Sequence, residues 1–168
     1  MESVRGGCRI LVDSVSDSDP IGVRQALDAG ANPNVVDEDG VTPLMLSARW
    51  DRTECLDALI RKGANLEATD TNGRTALRIA AERGHLASLN ALLGKNASVN
   101  SKDRFGWSAL MATARYGFTD CLNALIRNRA DVDAQDRIYG VDDRRLQGSH
   151  GLHSRVDSGG CRREFGHP

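Results

Sequence analysis

Three times along the chain the same apolar spacing returns. Leu56, Leu59 and Ile60, then Leu89, Leu92 and Leu93, then Leu122, Leu125 and Ile126 fall at i, i+3 and i+4. That spacing puts side chains on one face of a helix. Ahead of each set lies a narrower stripe: Leu44 with Ala48, Leu77 with Ala81, Leu110 with Ala114. Its small residues let a second helix approach closely. The polar positions are as periodic as the apolar ones, for Asp37, Asp70, Asp103 and Asp136 are each 33 residues apart. A fixed period of this length predicts a repeat array in which every unit is a pair of helices and buries its apolar face on its neighbours.

The residues between the stripes say where each helix starts and stops. Gly40, Gly73 and Gly106 follow Asp39, Asn72 and Phe105, and Asp-Gly and Asn-Gly suit tight hairpin turns that need a positive φ. Thr42, Thr75 and Ser108 come next, each supplying a hydroxyl to cap a helix N-terminus. Pro43 suits the first helical turn, where its missing N–H leaves nothing unpaired. Gly30 and Gly63 are placed to end helices in the left-handed conformation, and Asn96 tolerates the same geometry. Arg129 holds the equivalent position in the last unit, so strain or a different turn is expected there.

These units resemble ankyrin repeats. The resemblance rests on the 33-residue period, on an opening of the form Asp-x-x-Gly-x-Thr-Pro-Leu and on a closing Gly-Ala-Asn/Asp-x-Asn, and it covers residues 4–135. It implies an all-α ankyrin-repeat solenoid of stacked helix–turn–helix units joined by β-hairpin loops. A degenerate capping repeat spans 4–36, and full repeats span 37–69, 70–102 and 103–135. Two departures from the family pattern predict reduced stability. The histidine usual after Thr-Pro-Leu is replaced by Met45, Arg78 and Met111, which removes a side chain that ties neighbouring hairpins, and Asp51 stands where glycine is usual.

The two ends differ. The first unit carries Asp13, Ser14, Ser16, Asp17 and Ser18 on exposed sides, as a polar cap should. Asp19-Pro20 opens its second helix, and Gly6-Gly7 is expected to mark where order begins. At the other end Asp136 keeps the period, but the residues that follow lose the leucine spacing. Residues 136–168 therefore read as a broken repeat start followed by a disordered tail, rich in Gly, Arg and Ser. The tail is also compatible with an out-of-frame reading of a further repeat, so a longer parent protein is an open alternative.

Composition narrows the function. Net charge is −1, so no overall field draws nucleic acid or anionic lipid. The N-terminus has no apolar core of a secretory signal, and no segment is long enough to span a bilayer. An intracellular protein, cytoplasmic or nuclear, is expected. Cys8, Cys55, Cys121 and Cys161 form no Cys-x-x-Cys pair. Cys55 and Cys121 occupy the same place in two repeats separated by a third. At about 10 Å per stacked helix they are too far apart for a disulfide and read as free, buried packing residues. No Gly-x-Ser-x-Gly elbow or phosphate-binding glycine loop is present. The tail residues His150, His153, Cys161 and His167 have no zinc-module spacing. Neither an enzyme nor a cofactor or metal site is expected.

What stands out is a set of aromatic and arginine residues outside the core pattern, in a chain with only 4% aromatic residues. In ankyrin proteins partners touch the hairpin tips and the exposed edge of the first helices. The resemblance places Arg49, Trp50, Arg74, Arg83, Arg104, Phe105, Trp107, Arg115 and Tyr116 there. Trp, Tyr and Arg dominate interface hot spots. A tryptophan at a hairpin base also serves to shield the next hairpin, but four large aromatics on one face favour binding. The expected function is a protein-interaction module or adaptor whose partner is acidic or aromatic-bearing. The alternative is a regulatory or targeting piece of a longer multi-repeat protein, enzymatic or not. Single-stranded nucleic acid is disfavoured because Glu38, Asp39, Asp70, Glu82 and Asp103 lie among the arginines.

Overall fold

A computed structural model describes the backbone of residues 2–132 and the side chains of residues 9–132. The expected disordered tail and broken repeat start lie outside the described residues. Among the described residues eight helices follow one another: α1 (Glu2–Ser16), α2 (Pro20–Asp28), α3 (Pro43–Arg49), α4 (Thr53–Arg61), α5 (Ala76–Arg83), α6 (Leu86–Leu93), α7 (Ala109–Tyr116) and α8 (Thr119–Arg127). The first helices of successive pairs stack in the order α1, α3, α5, α7, and the second helices in the order α2, α4, α6, α8. The fold is the expected all-α repeat stack.

Local chemistry accounts for each helix end. The hydroxyls of Thr42, Thr75 and Ser108 accept hydrogen bonds from the N–H groups of Met45, Arg78 and Met111, satisfying donors that a helix start would otherwise leave unpaired. Asp19 caps α2 through the Ile21 N–H, with Pro20 in the first turn. Gly30 and Gly63 have φ of 91° and 82°, and Asn96 and Arg129 take the same left-handed turn at 63°. The last unit thus keeps the family turn and accepts the strain of a β-carbon in that region.

The loops before α3, α5 and α7 share one construction. In each, the aspartate N–H donates to the carbonyl four residues on, and the glycine N–H donates back to the aspartate carbonyl. The aspartate Oδ1 accepts from two further N–H groups, as Asp37 does from Asp39 and Val41. Successive loops are then bonded in series, Thr71 N–H to Asp39 O at 2.8 Å and Arg104 N–H to Asn72 O at 2.9 Å. The approach is close: a β-carbon on Gly73 would lie 2.9 Å from the Arg104 nitrogen. These hairpins are too short to be strands, and the single bridge among the described residues pairs Lys102 with Ser108.

The core is one continuous aliphatic seam. Leu44, Leu56, Leu59, Leu77, Leu89, Leu92 and Leu125 are fully buried, together with Ala48, Ala80 and Ala81. Cys55 and Cys121 are buried free thiols, and burial raises the pKa of both, with neighbouring carboxylates adding to the effect at Cys121. The seam fades at the last pair. Ala114, equivalent to the buried Ala48 and Ala81, is exposed, Leu122 is half-buried, and Ile126 is 44% exposed.

One expectation is corrected, and two departures from the family pattern make contacts of their own. The first helix begins at Glu2 and runs through Gly6-Gly7. Two glycines cost about 1 kcal/mol each against alanine, too little to end a helix whose later turns bury Leu11 and Val15. Arg78, at the register of Met45 and Met111, makes a tie of its own, its guanidinium reaching Asp103 of the following repeat at 3.5 Å. Asp51 likewise repays its left-handed φ of 56°. Its Oδ1 accepts from the Ser88 N–H at 3.1 Å and hydroxyl at 2.6 Å, capping α6, whose own N-cap residue His85 makes no such bond. His85 instead contacts the Ala48 carbonyl through Nδ1 at 3.0 Å, a structural role.

Candidate functional site

Every candidate residue lies on a hairpin, at its tip or its base, or at the C-terminal end of a first helix. Arg49 ends α3 half-buried, with Trp50 after it 41% exposed. Arg83, the equivalent of Trp50, ends α5 and is exposed; Arg115 and Tyr116 end α7 and are exposed. On the third hairpin Arg104 and Phe105 are exposed at the tip, while Trp107 is half-buried at the base.

The third full repeat gathers four of these residues around one cavity. Phe105, Trp107, Arg115 and Tyr116 line a recess of about 210 Å³ with Arg78 and Asp103. The Arg115 guanidinium lies over the Trp107 ring, 5.1 Å from its centroid, within reach of a cation–π attraction. Tyr116 meets Phe118 with ring centroids 6.2 Å apart, and Phe118 packs against Gly84 so tightly that a β-carbon there would enter the ring. Phe105 and Tyr116 remain 52% and 51% exposed, so the walls of the recess are open to contact.

Arg74 behaves differently from the other arginines. Its Nε and Nη2 both bond Asp70 Oδ2 at 2.8 Å, and Nη1 lies 3.5 Å from Glu82. Burial works against its charge, but the hydrogen bond and charge of Asp70, with Glu82 behind them, outweigh it and hold the pKa above the ordinary arginine value. Arg78 continues the chain: Nη1 is 3.3 Å from Glu82 and Nη2 3.5 Å from Asp103. Its side chain is only 8% exposed, and its Nε is buried without a hydrogen-bond acceptor. Asp103 completes the link. Its Oδ1 accepts from the Phe105 and Trp107 N–H groups at 2.9 Å while Oδ2 faces Arg78.

Sequence reasoning named Arg78 and Asp103 but gave neither a part in this site. The signal was present at Arg78, which shares a core register with Met45 and Met111. A charge at a position otherwise filled by methionine must find partners within the protein. The half-open recess, by contrast, depends on which side chains face one another across two repeats.

Among the described residues no helix is long and apolar enough to cross a membrane. Residues 11–103 match a family described as ankyrin repeats in three copies, and residues 105–137 match a further ankyrin repeat. No curated protein matches the chain. Ankyrin repeats generally mediate protein–protein interaction and are typically non-catalytic. The period, the capped helix pairs and these two matches agree, and the chain belongs to the ankyrin-repeat family.

Proposed function

We propose that this chain is a non-catalytic interaction module that holds a protein partner against the hairpin tips and first-helix ends, the concave side of an ankyrin stack. The observation that carries the reading is the aromatic recess of the third full repeat. Exposed Phe105 and Tyr116 flank a half-buried Trp107 under an arginine, the residue types that supply most binding energy at interfaces. Trp50 and Arg83 extend the same edge across the preceding repeats, and Arg49 and Arg104 border it. Arg74 supports the surface from within, since its donors are held by Asp70 and Glu82. Free buried thiols at Cys55 and Cys121 suit an intracellular setting.

The test is the double substitution Trp50→Ala and Trp107→Ala in the full chain. Circular dichroism is expected to stay unchanged while the proteins captured in an affinity pull-down are lost. If the double variant unfolds, the tryptophans shield the hairpins and the reading fails.

A further inference from the structure

The hairpin tips change charge from one end of the array to the other. The first presents Glu38 and Asp39, the second Thr71 and Asn72, the third Arg104 and Phe105, all of them exposed. In the middle repeat Arg74 and Arg78 are paired with Asp70, Glu82 and Asp103, which leaves Arg83 exposed at the end of α5. The third-repeat recess carries two guanidinium groups against one carboxylate. That carboxylate, Asp103, has both oxygens occupied. None of the ion pairs among the described residues involves Arg104 or Arg115. The buried Arg78 Nε has no acceptor, an omission that costs about 1–3 kcal/mol when nothing fills it.

Resting on the reading of this face as a protein-binding surface, we infer that its occupant is an extended segment of mixed charge lying across the repeats in one direction. An acidic residue next to an aromatic or aliphatic one sits in the Phe105–Trp107–Tyr116 recess, its carboxylate toward Arg115. A basic residue of the same segment sits at Glu38 and Asp39. The hairpins are bonded in series, so first and third are separated by two repeat spacings of about 10 Å each. At about 3.3 Å per extended residue, the acidic and basic residues are about six positions apart. A uniform polyanion, including single-stranded nucleic acid, fits the third hairpin but is repelled at the first.

Selection of a random twelve-residue peptide library on the full chain at 0.15 M salt (roughly physiological), followed by fluorescence anisotropy with the enriched peptides, tests this. Enriched peptides are expected to pair an acidic–apolar motif with a Lys or Arg about six residues away, always on the same side. Arg115→Glu is expected to weaken such a peptide about tenfold, and replacing the peptide's acidic residue by lysine should recover the loss. Glu38→Lys with Asp39→Lys should weaken it through the other end, with rescue by the reverse change in the peptide. Helicity by circular dichroism confirms that each variant is folded. Peptides that need Trp107 but show no charge order overturn the inference and leave the binding reading intact. Equal binding of all-acidic peptides or oligothymidine also overturns it. If no enriched peptide depends on Trp50 or Trp107, both fall.

Discussion

The second and third full repeats have the same backbone and the same aspartate-centred hairpin, yet they treat their surfaces in opposite ways. In residues 70–102 the position two before the first helix is Arg74, which folds back onto Asp70 and Glu82 and closes the surface with internal ion pairs. In residues 103–132 the same position is Trp107. Its aspartate takes a cation from the preceding repeat, Arg78, and Arg115 is left to lie on the tryptophan ring. Two registers, Arg74 against Trp107 and Glu82 against Arg115, therefore decide whether a repeat consumes its own charges or displays them. A repeat array gains a directional face without any change of fold.

The sharpest break of this comparison is Asp103→Ala. It removes the acceptor of two hairpin N–H groups and leaves Arg78 with Glu82 alone, and losing one partner of a buried ion pair costs about 3–5 kcal/mol. Chemical denaturation should show that loss. Arg78→Met, which copies Met45 and Met111, should cost less, about 1–2 kcal/mol, because Asp103 keeps its backbone donors. If both variants cost the same, the bridge rather than the hairpin is what Asp103 provides.

Core truncation compares inner and outer packing. Leu89 is fully buried and Leu122 half-buried at the same register. Leu89→Ala should cost about 3 kcal/mol and Leu122→Ala about 1 kcal/mol. Equal losses would mean that the last pair is packed as tightly as the inner ones.

The two buried thiols report opening of single repeats. Burial raises both pKa values, so the folded state favours the protonated thiol. The corresponding stability is complete below the pKa of an unfolded thiol, about 8.5, and is lost as pH rises through the higher folded value. Stability should therefore fall more steeply with alkaline pH in the native chain than in a variant with Cys55→Ala and Cys121→Ala. Under native conditions, alkylation followed by mass spectrometry should modify Cys121 about tenfold faster than Cys55, because the less covered end opens more readily. Equal rates would show that the repeats open together.

The smallest effect concerns the left-handed turns. Arg129→Gly should stabilise by about 1 kcal/mol and Asn96→Gly by less, since asparagine tolerates that region better than arginine. A loss in thermal stability at either position would mean that the side chain makes a compensating contact.

Much of this architecture is legible in the residues alone. The period, the Thr and Ser caps, the glycine turns and the leucine seam each follow from a local rule, and those rules act within a few residues. The candidate surface was legible only as a set of exposed registers. No simple spacing rule says that Arg74 folds onto Asp70 and Glu82 while Arg115 lies on Trp107, because the packing of hairpin on helix decides which side chains meet. Asp51 shows the same limit. Its left-handed turn could be anticipated, but its role as a cap depends on Ser88, 37 residues away. The glycine pair at residues 6 and 7 misled for a different reason: tertiary packing of a long helix outweighs a local propensity.

The hydrogen bonds between repeats also say how this molecule would bear a load. Each joins one unit to the next, as Asn65 joins Asn34, Ser98 joins Glu67 and Asp131 joins Asn100. Tension applied to the two ends would therefore pass through these seams in series. The inner seams are doubled by the hairpin bonds and by the reach of Asp51 and Arg78. Among the described residues, the seam between the capping unit and the first full repeat has Asn34 and the exposed Lys62–Asp28 pair, without a hairpin-to-hairpin bond to reinforce it. Pulled from its ends, the stack would yield there first, shedding its cap before any repeat of the aromatic edge is disturbed.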